Sequence, residues 1–116
     1  MFDFKKLRVY ALSKELHTTI YKSIIKSWTG ERYFKDQLGR AALSVSLNIA
    51  EGNACLSSKA KRRYFVIARA SLFETIALLE ILKDLNQLNP AHFEKLKSEC
   101  THISILLWKF IRSLED

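Results

Sequence analysis

The chain has 116 residues, of which 48% are hydrophobic and 27% charged, and this composition excludes a disordered or fibrous protein. The formal net charge of +7 at pH 7 and the pI near 9.6 favour a polyanionic partner, either nucleic acid or, less often, an anionic membrane surface. No apolar run reaches the roughly 18 residues of a membrane span, and the start does not read as a signal peptide. Cys55 and Cys100 are isolated in the sequence, so we expect one cytoplasmic domain over residues 1–116 with reduced thiols.

Four helices are predicted in chain order, and few Gly or Pro residues interrupt them. The first covers residues 5–27. The second covers residues 35–50, with Gly52 expected as a left-handed C-terminal cap. The third covers residues 59–88, preceded by Ser57 or Ser58 as N-cap. The fourth begins with Pro90 in its first turn.

The fourth helix has the most regular apolar spacing in the chain. Its apolar positions alternate by three and four residues: Phe93, Leu96, Cys100, Ile103, Leu107, Phe110 and Leu114. Such heptad spacing is typical of helices packed nearly parallel in a left-handed bundle. Because the connections are short, the sequence predicts an all-α, antiparallel, up-down-up-down four-helix bundle.

The third helix has two apolar sides. One broad face is expected to form the core: Tyr64, Ile67, Ala68, Leu72, Thr75, Leu79 and Leu82. On the opposite side lies a second apolar set, called here the α3 stripe: Val66, Phe73, Ala77 and Ile81. Contiguous exposed apolar surface usually marks an interface, so we expect this stripe to join copies of the chain, in a ring or a dimer.

The same helix begins with a basic cluster of Lys59, Lys61, Arg62 and Arg63, which Arg69 extends. Cations are unfavourable at a helix N-terminus, so this placement does not serve the stability of that helix. Phosphate binding accounts for it, because the free N–H groups of the first turn add to the basic side chains. The alternative is a basic turn that is merely solvated.

A polar stripe follows one side of the second helix. It contains Arg40, Ser44, Asn48 and Glu51, and Ser71 and Glu74 of the third helix are expected to face it. Hydrogen bonds between such groups fix the register of two helices, so we interpret the stripe as structural, either within the bundle or between subunits. We expect Glu51→Ala to lower stability or disturb assembly. No His or activated nucleophile accompanies Glu51 and Glu74, which disfavours catalysis.

Metal binding and base stacking are also disfavoured by the sequence. His17, His92 and His102 stand singly, without a second ligand three or four residues away. We therefore expect no metal and no cofactor. Trp28 and Trp108 are interpreted as packing residues.

A family pattern runs through residues 37–82. It comprises Gln37, Leu38, Arg40, Ser44, Val45, Asn48, Ile49, Glu51 and Gly52, then Phe65, Ala68, Ser71 and Glu74. With this pattern the chain resembles the small bacterial four-helix bundle proteins encoded in intervening sequences of 23S ribosomal RNA genes, often labelled S23 ribosomal protein. The accessory variability determinant of diversity-generating retroelements resembles the same family. Gly39 and Ala70 depart from the pattern, which more often has Arg and Gly there.

The resemblance implies a basic homopentamer that is not an enzyme. Two functions stay open. In the first, the bundle binds RNA or DNA through phosphates, as a scaffold in a ribonucleoprotein. In the second, the basic surface docks an acidic protein partner such as a reverse transcriptase. No recognition-helix or aromatic RNA-binding motif is present, so sequence-specific readout is not expected.

Overall fold

The computed structural model describes residues 4–115, with side chains from Lys6 onward, and these residues form a four-helix bundle. Helix α1 spans Phe4–Ile20 and continues through a π-helical turn, Tyr21–Ile25. Helix α2 spans Arg32–Ala54, α3 spans Ser58–Asp84 and α4 spans Pro90–Ser113. Each helix packs against its two neighbours in an antiparallel bundle 45 Å long and about 20 Å across. The predicted fold is confirmed.

Caps set the helix boundaries. Ser57 Oγ accepts a hydrogen bond from the Ala60 N–H, and Asn89 Oδ1 accepts from the Ala91 and His92 N–H groups. These side chains satisfy N–H groups that the first turn leaves free. Within residues 4–115, none of the helices combines the length and apolarity needed to cross a bilayer.

Helix α3 ends four residues before the predicted Leu88. Asn86 adopts a left-handed conformation, with φ of 60°. The Asn86 and Gln87 N–H groups donate to the Lys83 and Leu82 carbonyls, the hydrogen-bond pattern of a Schellman motif. Leu88 then turns back into the core as part of the link.

The core is continuous along the bundle. Helix α4 contributes Phe93, Leu96, Cys100, Ile103 and Leu107, all nearly inaccessible, as its heptad spacing predicts. Helix α3 differs from the prediction at its N-terminal half: Ile67 is 40% exposed and Tyr64 is half-buried, whereas Phe65 is buried. The core-facing side of α3 is therefore rotated by about one residue there.

The prediction for Gly52 was wrong. Helix α2 continues past Gly52 to Ala54, and none of the described glycines has a positive φ. Gly52 is buried, and a Cβ atom added to it would lie 2.5 Å from Phe65 Cε1. Its missing side chain lets the Phe65 ring pack directly on the α2 backbone. This close approach holds the C-terminus of α2 against the N-terminal half of α3.

Candidate nucleic-acid interface

The link between α2 and α3 positions the basic cluster. Helix α2 ends at Ala54 and α3 begins at Ser58, so only three residues join two antiparallel helices. The Gly52–Phe65 contact fixes the two helices at this end of the bundle. The first turns of α3 therefore present their cations beside the last turn of α2.

Lys61 has a structural partner of its own. Its Nζ donates to the Gly52 and Asn53 carbonyls, at 3.2 and 3.3 Å, in the last turn of α2. A cation at a helix C-terminus is stabilising because it meets free carbonyls and the negative end of the dipole. Lys61 therefore serves the stability of α2, although it lies in α3.

This contact predicts a difference between two neighbouring lysines. Replacing Lys61 by Met keeps the apolar stem but loses the charged cap, so we expect a loss of roughly 0.5–1 kcal/mol of unfolding free energy. Lys59→Met is the matched control, since the Lys59 side chain is exposed and its ammonium group forms no hydrogen bond or ion pair within residues 6–115. Thermal unfolding of both variants checks the prediction, and equal melting temperatures would contradict it.

The other side chains of the basic cluster differ in their exposure and in the number of contacts that they form within the chain. Arg63, like Lys59, is exposed and unpaired within the described part of the chain. Arg62 pairs with Glu115, at 3.5 Å between Nη2 and Oε1, with both side chains nearly half exposed. Arg69 is half-buried, and its Nε donates to the Ser104 carbonyl of α4 at 3.3 Å. Lys59, Arg62 and Arg63 are thus the cations most available to an anionic ligand.

The charge of the whole bundle is strongly segregated. The half around the α2–α3 link, residues 6–14, 43–71 and 102–115, holds ten lysine and arginine residues but only two carboxylates. We call it the positive half; its cations are Lys6, Arg8, Lys14, Lys59, Lys61, Arg62, Arg63, Arg69, Lys109 and Arg112. Residues 15–42 and 72–101, the neutral half, hold eight basic and eight acidic residues. Within residues 6–115, excess positive charge is therefore confined to one end of the bundle.

The polar stripe brings α2 and α3 together through two side-chain contacts between the helices, and a third contact, within α2, supports one of them. Ser44 Oγ and Ser71 Oγ lie 2.9 Å apart, and Asn48 Nδ2 donates to Ser44 Oγ at 3.0 Å. Arg40 forms an ion pair with Glu74 further along the same interface. The hydroxyl contact is part-buried, so it resists competition from water better than the exposed ion pair does.

The contact between Ser44 and Ser71 predicts coupled stability effects. Ser44→Ala and Ser71→Ala are expected to lower the unfolding free energy by less together than the sum of their separate effects, with a coupling of about 0.5–1.5 kcal/mol. Ser46→Ala is the matched control, because the buried Ser46 hydroxyl donates to Leu43 of its own helix. Each pair is measured in a double-mutant cycle. If the effects of Ser44→Ala and Ser71→Ala on the unfolding free energy were as additive as those of Ser46→Ala and Ser71→Ala, the interhelical hydrogen bond would be contradicted.

Glu51 does not join this network. It is exposed, and its carboxylate has no hydrogen bond or ion pair within residues 6–115. Its neighbour Gly52 is the residue that is buried against Phe65 of α3 at this end of α2, whereas Glu51 is exposed. Within a single copy of the chain, Glu51→Ala should therefore change stability by less than about 0.5 kcal/mol, whereas a contact of Glu51 between subunits stays a prediction.

The α3 stripe is open to solvent. Val66, Phe73 and Ile81 are between 41% and 49% exposed, and Ala77 is exposed as well. Val66 and Phe73 lie beside α4, where they line a shared groove with Trp108 and several arginines. Self-association through the stripe stays a prediction.

Trp108 and Arg112 belong to this surface but were missed by the sequence reading. Trp108 was interpreted as a packing residue, yet it is 43% exposed and the Arg112 guanidinium lies 4.9 Å from its ring centroid. The heptad spacing of α4 already indicated that Trp108 is exposed, because residue 108 follows the core position Leu107 and therefore points away from the core. Trp28 packs against the core as expected, and its indole N–H donates to the Glu31 carbonyl.

The groups that could support catalysis are scattered. Burial raises the pKa of the Cys100 thiol to about 12, with a smaller contribution from the Glu99 carboxylate, so this thiol stays protonated at neutral pH. His92 Nε2 lies 3.0 Å from Ser23 Oγ, but that hydroxyl donates to the Thr19 carbonyl. Within residues 6–115, no three His, Cys, Asp or Glu side chains are grouped where they could hold a metal ion.

Comparisons with known proteins bear on the family. Among curated proteins, none matches the chain. A solved structure of a protein of unknown function from the S23 ribosomal protein family of Bacteroides thetaiotaomicron superposes with a TM-score of 0.70. The match covers 93% of this chain and 92% of the other, at 22% identity, so it shows a shared fold. The family model of the 23S rRNA-intervening sequence protein matches residues 5–109. The chain therefore belongs to the 23S rRNA-intervening sequence protein family.

Proposed function

We propose that this protein is a non-enzymatic, oligomeric helix bundle that binds RNA or DNA mainly through phosphates, as a scaffold in a ribonucleoprotein. The observation that carries the proposal is the confinement of excess charge to the positive half. A field of one sign concentrated at one end attracts and orients a polyanion, whereas the same charge spread evenly would not orient it. The family to which the chain belongs is consistent with an RNA-related role.

Lys59, Arg62 and Arg63 are the proposed primary phosphate contacts. They crowd the first two turns of α3, where backbone N–H groups add positive potential. Lys61 and Arg69 hold neighbouring helices through carbonyl contacts, so their contribution to a ligand is secondary. Phosphate contacts carry no sequence information, and the proposed binding is correspondingly insensitive to base sequence.

Assembly of several copies is part of the proposal. A ring, with the pentamer favoured by the family resemblance, would multiply the net charge of +7 by the number of subunits and attract nucleic acid over a longer range. Ala77 and Ile81 of the α3 stripe provide exposed apolar area that such an assembly would bury.

The experiment is a binding titration of nuclease-treated protein against labelled structured RNA and duplex DNA over a range of salt concentrations. In a plot of the logarithm of the binding constant against the logarithm of the salt concentration, we expect a slope of about −0.7 to −0.9 for each phosphate neutralised. Three primary contacts therefore give a slope of about −2 or steeper. Absence of binding even at low salt would overturn the proposal.

The second candidate is a protein-interaction module that docks an acidic partner such as a reverse transcriptase. Leu56, at the tip of the α2–α3 link, is fully exposed among the cations of the positive half. An apolar residue surrounded by charges of one sign suits a protein interface with a complementary charged rim. Failure to bind nucleic acid in the titration would favour this candidate.

A further inference from the structure

A groove of about 370 Å³ runs between α3 and α4, mostly in the positive half. Its apolar lining includes Val66, Phe73 and Trp108, and three arginines, Arg62, Arg69 and Arg112, stand along it. Glu115 supplies the single carboxylate. A groove that combines aromatic rings with excess positive charge suits a ligand that is flat, apolar and anionic.

The arginines are held in place by the aromatic rings and by Glu115. The Arg69 guanidinium lies 4.9 Å from the Phe73 ring centroid, and Arg112 lies 4.9 Å from that of Trp108. Glu115 approaches both Arg62 and Arg112, at 3.5 and 3.6 Å. These ion pairs are about half exposed and therefore weak, so a phosphate can replace the Glu115 carboxylate on either guanidinium.

We infer that this groove binds an unpaired nucleotide. The base lies against Trp108 and Phe73, and its phosphates are bound by Arg62 and Arg112. Aromatic rings and guanidinium planes are the surfaces on which unpaired bases stack in proteins that bind single strands. This inference rests on the proposed function and deepens it, because it assigns a preference for single-stranded segments over duplexes, whose bases are already stacked.

The groove and the α3 stripe share Val66 and Phe73. One surface cannot hold a base and a second copy at the same time. The arginines favour the nucleotide, because they attract its phosphates, whereas the neutral half of a second copy carries no excess charge and its positive half would be repelled. We therefore assign Val66 and Phe73 to the nucleotide and leave Ala77 and Ile81, which lie in the neutral half, for contact between copies.

The test compares a labelled oligouridine with a labelled RNA duplex of the same length, at one moderate salt concentration. Trp108→Ala is expected to weaken binding of the single strand by about tenfold and to leave duplex binding within about twofold. Trp108→Phe keeps an aromatic ring and should restore most of the single-strand affinity. Ile105→Ala is the matched control, since Ile105 is similarly exposed on α4 but does not line the groove.

Each other outcome overturns the inference in a recognisable way. If Trp108→Ala weakens binding of both RNAs equally, or of neither, then the base does not lie in this groove. That result would contradict the inference but not the proposed phosphate binding. Wild-type protein that binds neither RNA would overturn the proposed function as well. Trp108 fluorescence, measured in a Trp28→Phe background, that shifts with protein concentration but not with oligouridine would place a second copy in the groove instead.

Discussion

Reversing three charges at the start of α3, with Lys59→Glu, Arg62→Glu and Arg63→Glu combined, is expected to weaken RNA binding by about 100-fold or more at moderate salt. Each substitution removes a proposed phosphate contact and places a repelling carboxylate in its position. Because affinity depends on the number of phosphates neutralised, the variant should also show a shallower dependence on salt. Filter binding or fluorescence anisotropy over several salt concentrations measures both effects.

The fold should survive this change. Acidic residues in the first turn of a helix interact favourably with its dipole, whereas the native cations oppose it. The capping hydroxyl of Ser57 and the contact of Lys61 with α2 are left intact. The only ion pair removed within residues 6–115 is that of Arg62 with Glu115, which is weak because it is nearly half exposed. A melting temperature at or above that of the wild type is therefore expected.

A matched variant separates the position of the charges from their total. Lys22, Lys26 and Lys35 are exposed in the neutral half and form no ion pair within residues 6–115. Their combined replacement by Glu lowers the net charge of the chain by the same amount. We expect a small loss of affinity from this variant, through the long-range field alone. Comparable losses in the two variants would contradict a localised interface.

Gly52→Ala adds a single methyl group, yet we expect it to lower the stability of the bundle markedly. The new Cβ would lie 2.5 Å from Phe65 Cε1 and 2.8 Å from Cδ1. Phe65 is only 1% exposed and packs beside Phe110, so its ring has little room to move. Crowding of this kind costs about 1–3 kcal/mol, whereas Ala gains roughly 1 kcal/mol over Gly in a helix. We expect a net loss of up to about 2 kcal/mol.

Gly39→Ala in the same helix is the control with the opposite sign. A Cβ at Gly39 would meet Ile25 Cδ1 at 3.4 Å, which is ordinary van der Waals contact. The helix propensity of Ala then dominates, and a gain of up to about 1 kcal/mol is expected. Denaturant unfolding of both variants provides the comparison. A Gly52→Ala protein as stable as Gly39→Ala would show that α2 and α3 do not approach closely at this point.

The sequence was sufficient for the fold because its apolar spacing is regular where the core is deepest. In α4, residues at heptad positions from Phe93 to Leu107 are all buried. The cap at Ser57 was one of the two predicted, because a side-chain oxygen before a helix acts within its own turn, and Asn89 caps α4 by the same local rule. The end of α3 was readable in principle from Asn86, because Asn tolerates the left-handed conformation better than most residues.

Gly52 shows where local reasoning stops. A glycine near a helix end predicts a left-handed cap when only its own helix is considered. What decides its conformation is Phe65, thirteen residues later, whose ring occupies the space above the glycine. Such a contact depends on the angle and distance between two helices, and neither quantity can be read from apolar periodicity.

The candidate interface was predicted in part. The cluster at the start of α3 is visible as a run of basic letters, but the contact of Lys61 with the Gly52 and Asn53 carbonyls depends on how α2 and α3 meet. The segregation of charge also requires the fold, because the positive half combines three separate stretches of the chain. Trp108 became a candidate only when the packing of α3 and α4 placed it in one groove with three arginines.

The most direct test of the central claim is lysine footprinting of the wild-type protein, with and without saturating RNA. The extent of acetylation at each lysine would be read by mass spectrometry. A phosphate-binding positive half predicts strong protection of Lys59, with Lys22, Lys26 and Lys35 modified equally in both samples. Protection of the neutral-half lysines as strong as that of Lys59, or no protection of Lys59, would contradict an interface at the positive half.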